Sequence, residues 1–150
     1  MKVKIKKLHK DAVVPKYAKD GDAGMDLTAV SIKRDECGNI VYGTGLAFEI
    51  PKGYVGLLFP RSSNAKKDLL LSNSVGVLDS GYRGEVLFKY KIQYPHVEHL
   101  GFTHNMSTDY KIGDRIGQII IIPYPTIEFE EVDELSESER GDGGYGSTGK

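Results

Sequence analysis

Residues 84–94 read GEVLFKYKIQY, and residues 116–122 read IGQIIII. In the first, Phe88, Tyr90 and Ile92 alternate with Lys89, Lys91 and Gln93. That is the period of a strand with one wet face. The second is a continuous apolar run, which fits a strand buried on both faces. Working outward, Lys2-Val3-Lys4-Ile5-Lys6 alternates in the same way, and GYVGLLF at 53–59 is a further strand that stops at Pro60. Residues 26–34 and 40–50 carry β-branched and aromatic side chains on either side of Asp35-Glu36-Cys37-Gly38-Asn39, which reads as a hairpin turn. Only SSNAKKDLL at 62–70 reads as helix, for two or three turns at most. Short strands with turns at close spacing give an all-β sandwich or barrel. No repeat of a solenoid or propeller is present.

The chain has 150 residues, enough for one domain and a sizeable core. Lys plus Arg is 20 and Asp plus Glu is 21, a near-balance that argues against a dedicated nucleic-acid binder. Cys37 is alone, so no intramolecular disulfide framework and no CxxC metal site can form, and a reducing cytoplasm is the expected compartment. The start, MKVKIKKLHK, lacks the apolar stretch of a secretory signal, and no apolar run is long enough to span a membrane. Glycine is the outlier at 18 residues, which suggests tight turns or backbone brought close to a ligand. The composition shifts near Asp133. Residues 133–140 are acidic and serine-rich, and RGDGGYGSTGK at 140–150 cannot pack a core. We therefore expect a folded domain over 1–135 and a flexible arm over 136–150.

Five short segments join glycines to charged or hydroxyl side chains. They are AGMDL at 23–27, PRSSNAKKDLLLSNS at 60–74, GVLDSGYRGE at 76–85, GDRIGQ at 113–118 and RGDGGYGSTG at 140–149. Singly, each has an ordinary structural reading. Together they supply Arg61, Arg115 and Arg140, several hydroxyls, glycine-rich backbone and the carboxylates Asp26 and Asp79. That mixture suits a polyphosphate with a divalent ion. Arginine forks bind phosphate bidentately, backbone N–H groups line anion nests, and carboxylates hold Mg²⁺, often through water. Residues 144–150 imitate a phosphate loop, but no Ser or Thr follows Lys150 and no helix can, so a P-loop is rejected. Asp79 could cap a turn built on Ser80-Gly81, or could deprotonate a water. Tyr82 could be core, or an aromatic wall against a sugar or base. The lysines of residues 2–7 read as the wet face of an edge strand. His96 and His99 read as loop histidines without further metal ligands, Cys37 as an incidental thiol, and the acidic run 128–139 as a solvated connector.

In order, spacing and content these five segments resemble the motifs of the trimeric dUTPase family, spread from residue 23 to residue 149. The resemblance implies a jelly-roll-like β-sandwich or distorted barrel with one short helix and a mobile glycine-rich C-terminal arm. It implies a homotrimer with shared active sites and no direct nucleic-acid or membrane partner. It implies hydrolysis of dUTP to dUMP and pyrophosphate with Mg²⁺, which limits uracil in DNA and supplies dUMP for dTMP synthesis. The setting would be the cytoplasm, or a host's cytoplasm for a viral protein. Carried over by residue, Asp79 activates the water that attacks the α-phosphorus. Arg61, Ser62, Ser63 and Gln118 hold phosphate oxygens. Arg140, Gly146, Ser147 and Thr148 close on the γ-phosphate. Asp26 reaches the Mg²⁺ through water. A β-hairpin around 73–87 reads uracil through Asn73 and the backbone of Gly76, Val77 and Leu78. Tyr82 packs under the deoxyribose, and Tyr145 stacks over the base.

The sequence departs from the family pattern at Ser63, where many members have glycine, and at Gly81, where aspartate is frequent. It departs again at Gly117 in place of alanine and at Tyr145 in place of phenylalanine. The connection from Tyr94 to Lys111, with His96, His99 and His104, is longer than the family leads one to expect. Two other readings stand beside the hydrolase. A dCTP deaminase, or a bifunctional deaminase and hydrolase, could use the same fold, and ammonia release from dCTP would reveal it. A non-enzymatic trimer could bind a regulatory protein, with the 94–111 connection as its surface. Against the latter, Asp26, Arg61, Asp79, Gln118 and Arg140 are all present.

Overall fold

A computed structural model describes residues 1–92 and 109–144. Ten strands follow in chain order: β1 (Lys4–Lys7), β2 (Met25–Thr28), β3 (Ser31–Arg34), β4 (Ile40–Gly43), β5 (Leu46–Glu49), β6 (Tyr54–Phe59), β7 (Leu69–Leu71), β8 (Gly76–Leu78), β9 (Leu87–Ile92) and β10 (Arg115–Pro123). They form two four-stranded sheets, β2-β10-β6-β8 and β3-β4-β9-β7, and a two-stranded sheet β1-β5. Every pairing is antiparallel. From β6 onward, successive strands alternate between the two larger sheets, as in a jelly roll. The sheets do not close into a barrel, so the sandwich form of the expected fold is the one adopted. No helix among the described residues is long and apolar enough to cross a membrane.

The alternating run at 84–94 becomes β9, with Phe88 and Tyr90 fully buried and Lys89 and Lys91 outside. Its inner face meets the other sheet directly. The Tyr90 hydroxyl donates to the Ile116 carbonyl of β10 at 2.6 Å. Tyr42 and Tyr110 complete an aromatic cluster around Tyr90, at ring separations of 6.0 and 5.8 Å. Burial pushes the phenols of Tyr42, Tyr90 and Tyr110 upward in pKa, so all three stay neutral. Burying rings of this size stabilises by roughly 1.5–3 kcal/mol each.

Five expectations need correction. Residues 62–70 are not an α-helix: a 3-10 turn covers Ser62–Lys66, and β7 begins at Leu69. Residues 26–34 are two strands in different sheets, because the chain crosses over at Ala29-Val30. The stretch 40–50 likewise breaks at Gly45, whose φ of +65° turns the chain from β4 into β5. The 73–87 segment is not a paired hairpin, since β8 bonds to β6 while β9 bonds to β4 and β7. Finally, β10 is buried on both faces only at its start. Ile116, Gly117 and Ile119 are enclosed, Ile120 and Ile121 are half-buried, and Ile122 is exposed.

Candidate active site

Three of the five segments meet where β6 ends. Pro60 has no N–H to continue the ladder, so the chain leaves the sheet there. It enters the 3-10 turn with Arg61 extended at its N-cap. Asp26 on β2 lies opposite Gln118 on β10, and Gln118 lies opposite Phe59 on β6. Arg61 Nε donates to Asp26 Oδ1 at 2.7 Å, and Arg61 Nη1 donates to Ser63 Oγ at 3.2 Å. From the far side, Arg115 Nη1 donates to Asp26 Oδ2 at 3.0 Å. A register shift between Arg115 and Gly117 bulges β10 at this point, a device that re-aims a side chain. Gln118 Nε2 donates to the Pro60 carbonyl at 2.9 Å. A Cβ on Gly24 would collide with the Gln118 carboxamide oxygen, so glycine lets that carboxamide lie where it does.

One carboxylate thus serves two guanidiniums and leaves a net positive charge. Each guanidinium carries five N–H donors, more than these bonds use. Asp26 is 27% exposed, so its carboxylate edge reaches solvent. Ser62 and Ser63 are exposed on the turn beside it. The cluster is built to receive an anion with several oxygens. The sequence alone assigns Arg115 no role of its own. Its partner is Asp26, 89 positions earlier, and no local pattern links the two.

The third segment lies elsewhere on the sheet. Leu78 of β8 is opposite Gly56, and Gly76 is opposite Leu58, so Asp79 falls towards the start of β6. The Arg61 cluster sits at its end. At ~3.3 Å per residue, the two are separated by ~13 Å along the strand. Asp79 closes its turn with its backbone carbonyl, which accepts the Tyr82 N–H at 3.1 Å. Its exposed carboxylate makes no hydrogen bond among the described residues, so it is not spent as a cap. Arg83 Nη1 ties the turn by donating to the carbonyls of Ser80 at 2.7 Å and Tyr82 at 2.9 Å. A Cβ on Gly81 would meet nothing within 4 Å and its φ is not positive, so the position has room for the side chain frequent in the family. Asn73 is exposed in the sharp turn before β8, where Ser74 adopts a φ of +59°. Gly76 and Leu78 point inward and Val77 outward. β8 is the edge strand of its sheet, so its outer backbone groups have no strand partner among the described residues.

Arg140 lies in an exposed turn whose bonds are all local: its Nε donates to the Gly143 carbonyl, and the Gly141 N–H reaches Ser138. Tyr145, Gly146, Ser147 and Thr148 fall outside the described residues, as do His96, His99, His104 and the 94–108 part of the long connection. No cluster of His, Cys, Asp or Glu able to hold a metal exists among the described residues.

The dUTPase family model matches residues 10–149. The chain belongs to the dUTPase family. The deoxyuridine 5′-triphosphate nucleotidohydrolase of Nautilia profundicola is 42% identical over 154 aligned positions, covering the whole of both chains. The dUTPase of Staphylococcus bacteriophage 80alpha, solved with dUpNHpp, superposes with a TM-score of 0.82 at 30% identity, over 99% of each chain. A dUTPase variant from phage phi11 of S. aureus, whose structure concerns coordination of a structural Mg(II) ion, gives a TM-score of 0.71 at 25% identity. It covers 90% of this chain and 99% of its own. Within this dUTPase the departure at Gly117 has a structural cause: a Cβ there would strike the buried Phe88 ring of the facing sheet.

Proposed function

We propose that this dUTPase cleaves dUTP to dUMP and pyrophosphate in sites shared between copies of the chain, with Asp79 as the base. The observation that carries this reading is the separation of an anion cluster from an unengaged carboxylate at opposite ends of β6. Within one copy the two stand ~13 Å apart along the strand, and neighbouring copies would set the carboxylate of one beside the anion cluster of another. The expected assembly is a homotrimer, in keeping with the exposed apolar side chains of the C-terminal stretch.

Arg61, Ser62, Ser63 and Gln118 hold phosphate oxygens, and Arg115 stiffens Asp26 against Arg61. Phosphoryl transfer depends on positioning and on stabilising charge spread over several oxygens, which such a cluster supplies. Asp26 would reach a Mg²⁺ ion through water, with the substrate's phosphates supplying the rest of its hold, since no cluster of carboxylates or histidines stands ready among the described residues. When bound, the ion neutralises phosphate charge. Asp79 takes a proton from the water that attacks the α-phosphorus. The outer edge of β8 presents backbone groups of Gly76, Val77 and Leu78 to the uracil edge, with Asn73 beside them. Cytosine presents the opposite donor pattern and leaves groups unpaired, at a cost of about 1–3 kcal/mol each. Tyr82 packs under the deoxyribose and leaves no room for a 2′-hydroxyl. The arm, residues 136–150, closes over the substrate with Arg140, Tyr145, Gly146, Ser147 and Thr148.

The test is pyrophosphate release with Mg²⁺ from dUTP, set beside dCTP, dTTP and UTP. Release from dUTP alone is expected, with a loss of about 10³-fold or more in Asp79→Ala. Unchanged release by folded Asp79→Ala overturns the assignment of the base. Ammonia release from dCTP would favour the deaminase instead.

A further inference from the structure

Tyr82 does not stand alone on its turn. Its hydroxyl donates to the Glu85 carbonyl at 3.0 Å, which folds the ring back across residue 84. A Cβ on Gly84 would lie on the hydroxyl end of that ring, with Cε2 only 3.0 Å away. The floor beneath the ring is fixed. Glu85 Oε1 accepts the Gly45 N–H at 2.8 Å, the Val86 N–H donates to the Leu46 carbonyl at 2.8 Å, and the Val86 carbonyl accepts the Thr44 hydroxyl at 2.8 Å. Gly43 leaves room for the Glu85 carboxylate, since a Cβ there would strike it. The ring itself is 44% exposed and can swing outward.

We infer that Gly84 is a specificity-positioning residue: its missing side chain is the space in which the Tyr82 ring lies, and filling that space turns the ring away from the sugar. The inference rests on the reading that Tyr82 packs under the deoxyribose and excludes a 2′-hydroxyl. Gly84 has no positive φ, so alanine suits its backbone. The clash is with the tip of a half-exposed side chain, so the ring yields and the fold does not. Gly84 touches no substrate and acts through Tyr82.

The experiment compares kcat/KM for dUTP and UTP in four proteins: the parent, Gly84→Ala, Tyr82→Ala and the double variant. Thermal unfolding is recorded for each. Gly84→Ala is expected to keep its Tm within about 2 °C and to lower the preference for dUTP over UTP by about tenfold. Added to Tyr82→Ala, it is expected to change that preference no further, because residues acting through one another are not additive. If Tyr82→Ala lowers the preference and Gly84→Ala does not, the inference fails and the sugar reading stands. If Gly84→Ala lowers it equally in both backgrounds, glycine does not act through Tyr82 and the inference again fails. If Tyr82→Ala leaves the preference unchanged, the sugar reading falls and takes the inference with it.

Discussion

At Gly117 the absence of one methyl group decides how two sheets meet. A Cβ there would overlap the Phe88 ring, which is fully buried on β9 and cannot swing aside. Gly117 and Phe88 are therefore a matched pair: the small residue on one sheet admits the large one on the other. In the sequence, Gly117 reads as a departure from the family's alanine, and could be taken for decay of the site. The structure instead gives it a packing cause, invisible without the cross-sheet contact. Gly117→Ala should destabilise by about 1–3 kcal/mol, the usual cost of overpacking a filled core. Urea unfolding measures it. A variant as stable as the parent would mean that Phe88 repacks freely and that the pair is not matched. Gly24 follows the same logic at the site, where an added Cβ would meet Gln118. Glycine at these two positions is about room rather than backbone freedom, which a sequence cannot distinguish.

The turn between β3 and β4 shows how an element is held by charge. Asp35 Oδ1 accepts the backbone N–H groups of Cys37 at 3.1 Å and Asn39 at 2.9 Å, and Lys89 Nζ reaches Oδ2 at 3.0 Å. The Asn39 amide donates to both oxygens, while its own oxygen accepts from Ser72. Donation from Asn39 foremost, together with the Lys89 charge, holds the Asp35 carboxyl at about 2, below its ordinary 3.8. The folded state thus binds a proton less readily than the unfolded one. The resulting stability is present above about pH 4 and is lost as pH falls towards 2. Asp35→Ala should be less stable than the parent near neutrality, and the gap should narrow between about pH 4 and pH 2. Denaturation series at both ends of that window would show it, and a constant gap would exclude the carboxylate as its source. This hairpin was legible in the sequence because Asp, Gly and Asn sit together between two runs of β-branched and aromatic residues. The 3-10 turn and β7 were not. Leu69-Leu70-Leu71 hides a period of two inside one residue type, with Leu69 and Leu71 buried and Leu70 exposed. The sheet crossovers at Ala29-Val30 and Gly45 were hidden for a related reason. β-branched and apolar residues run on through them, and only the partner strand changes.

For the whole molecule, the telling feature is how much apolar surface stays uncovered in one chain. Phe129 is 92% exposed and Leu135 88%, with Ile127 and Val132 also open along a stretch without secondary structure. Exposed apolar side chains on this scale argue for a surface that a second copy would cover in the proposed assembly. The same conclusion follows from the site. Arg61, Asp26 and Gln118 gather at the end of β6, while Asp79 and Tyr82 lie towards its start. The five segments were legible as residues with a shared chemistry, yet nothing in the sequence says which of them one chain unites. The ladder register does. If the site is shared, two dead proteins should repair each other. Arg61→Ala keeps the Asp79 half intact, and Asp79→Ala keeps the Arg61 half intact. Unfolded together in equal amounts and refolded, they should form mixed assemblies in which roughly a quarter of the sites pair two intact halves. Pyrophosphate release from dUTP should then return to roughly a quarter of the parent rate, while each variant refolded alone stays inactive. A mixture as inactive as its components would mean that each chain completes its own site. The separation along β6 would then have to close by movement within one copy.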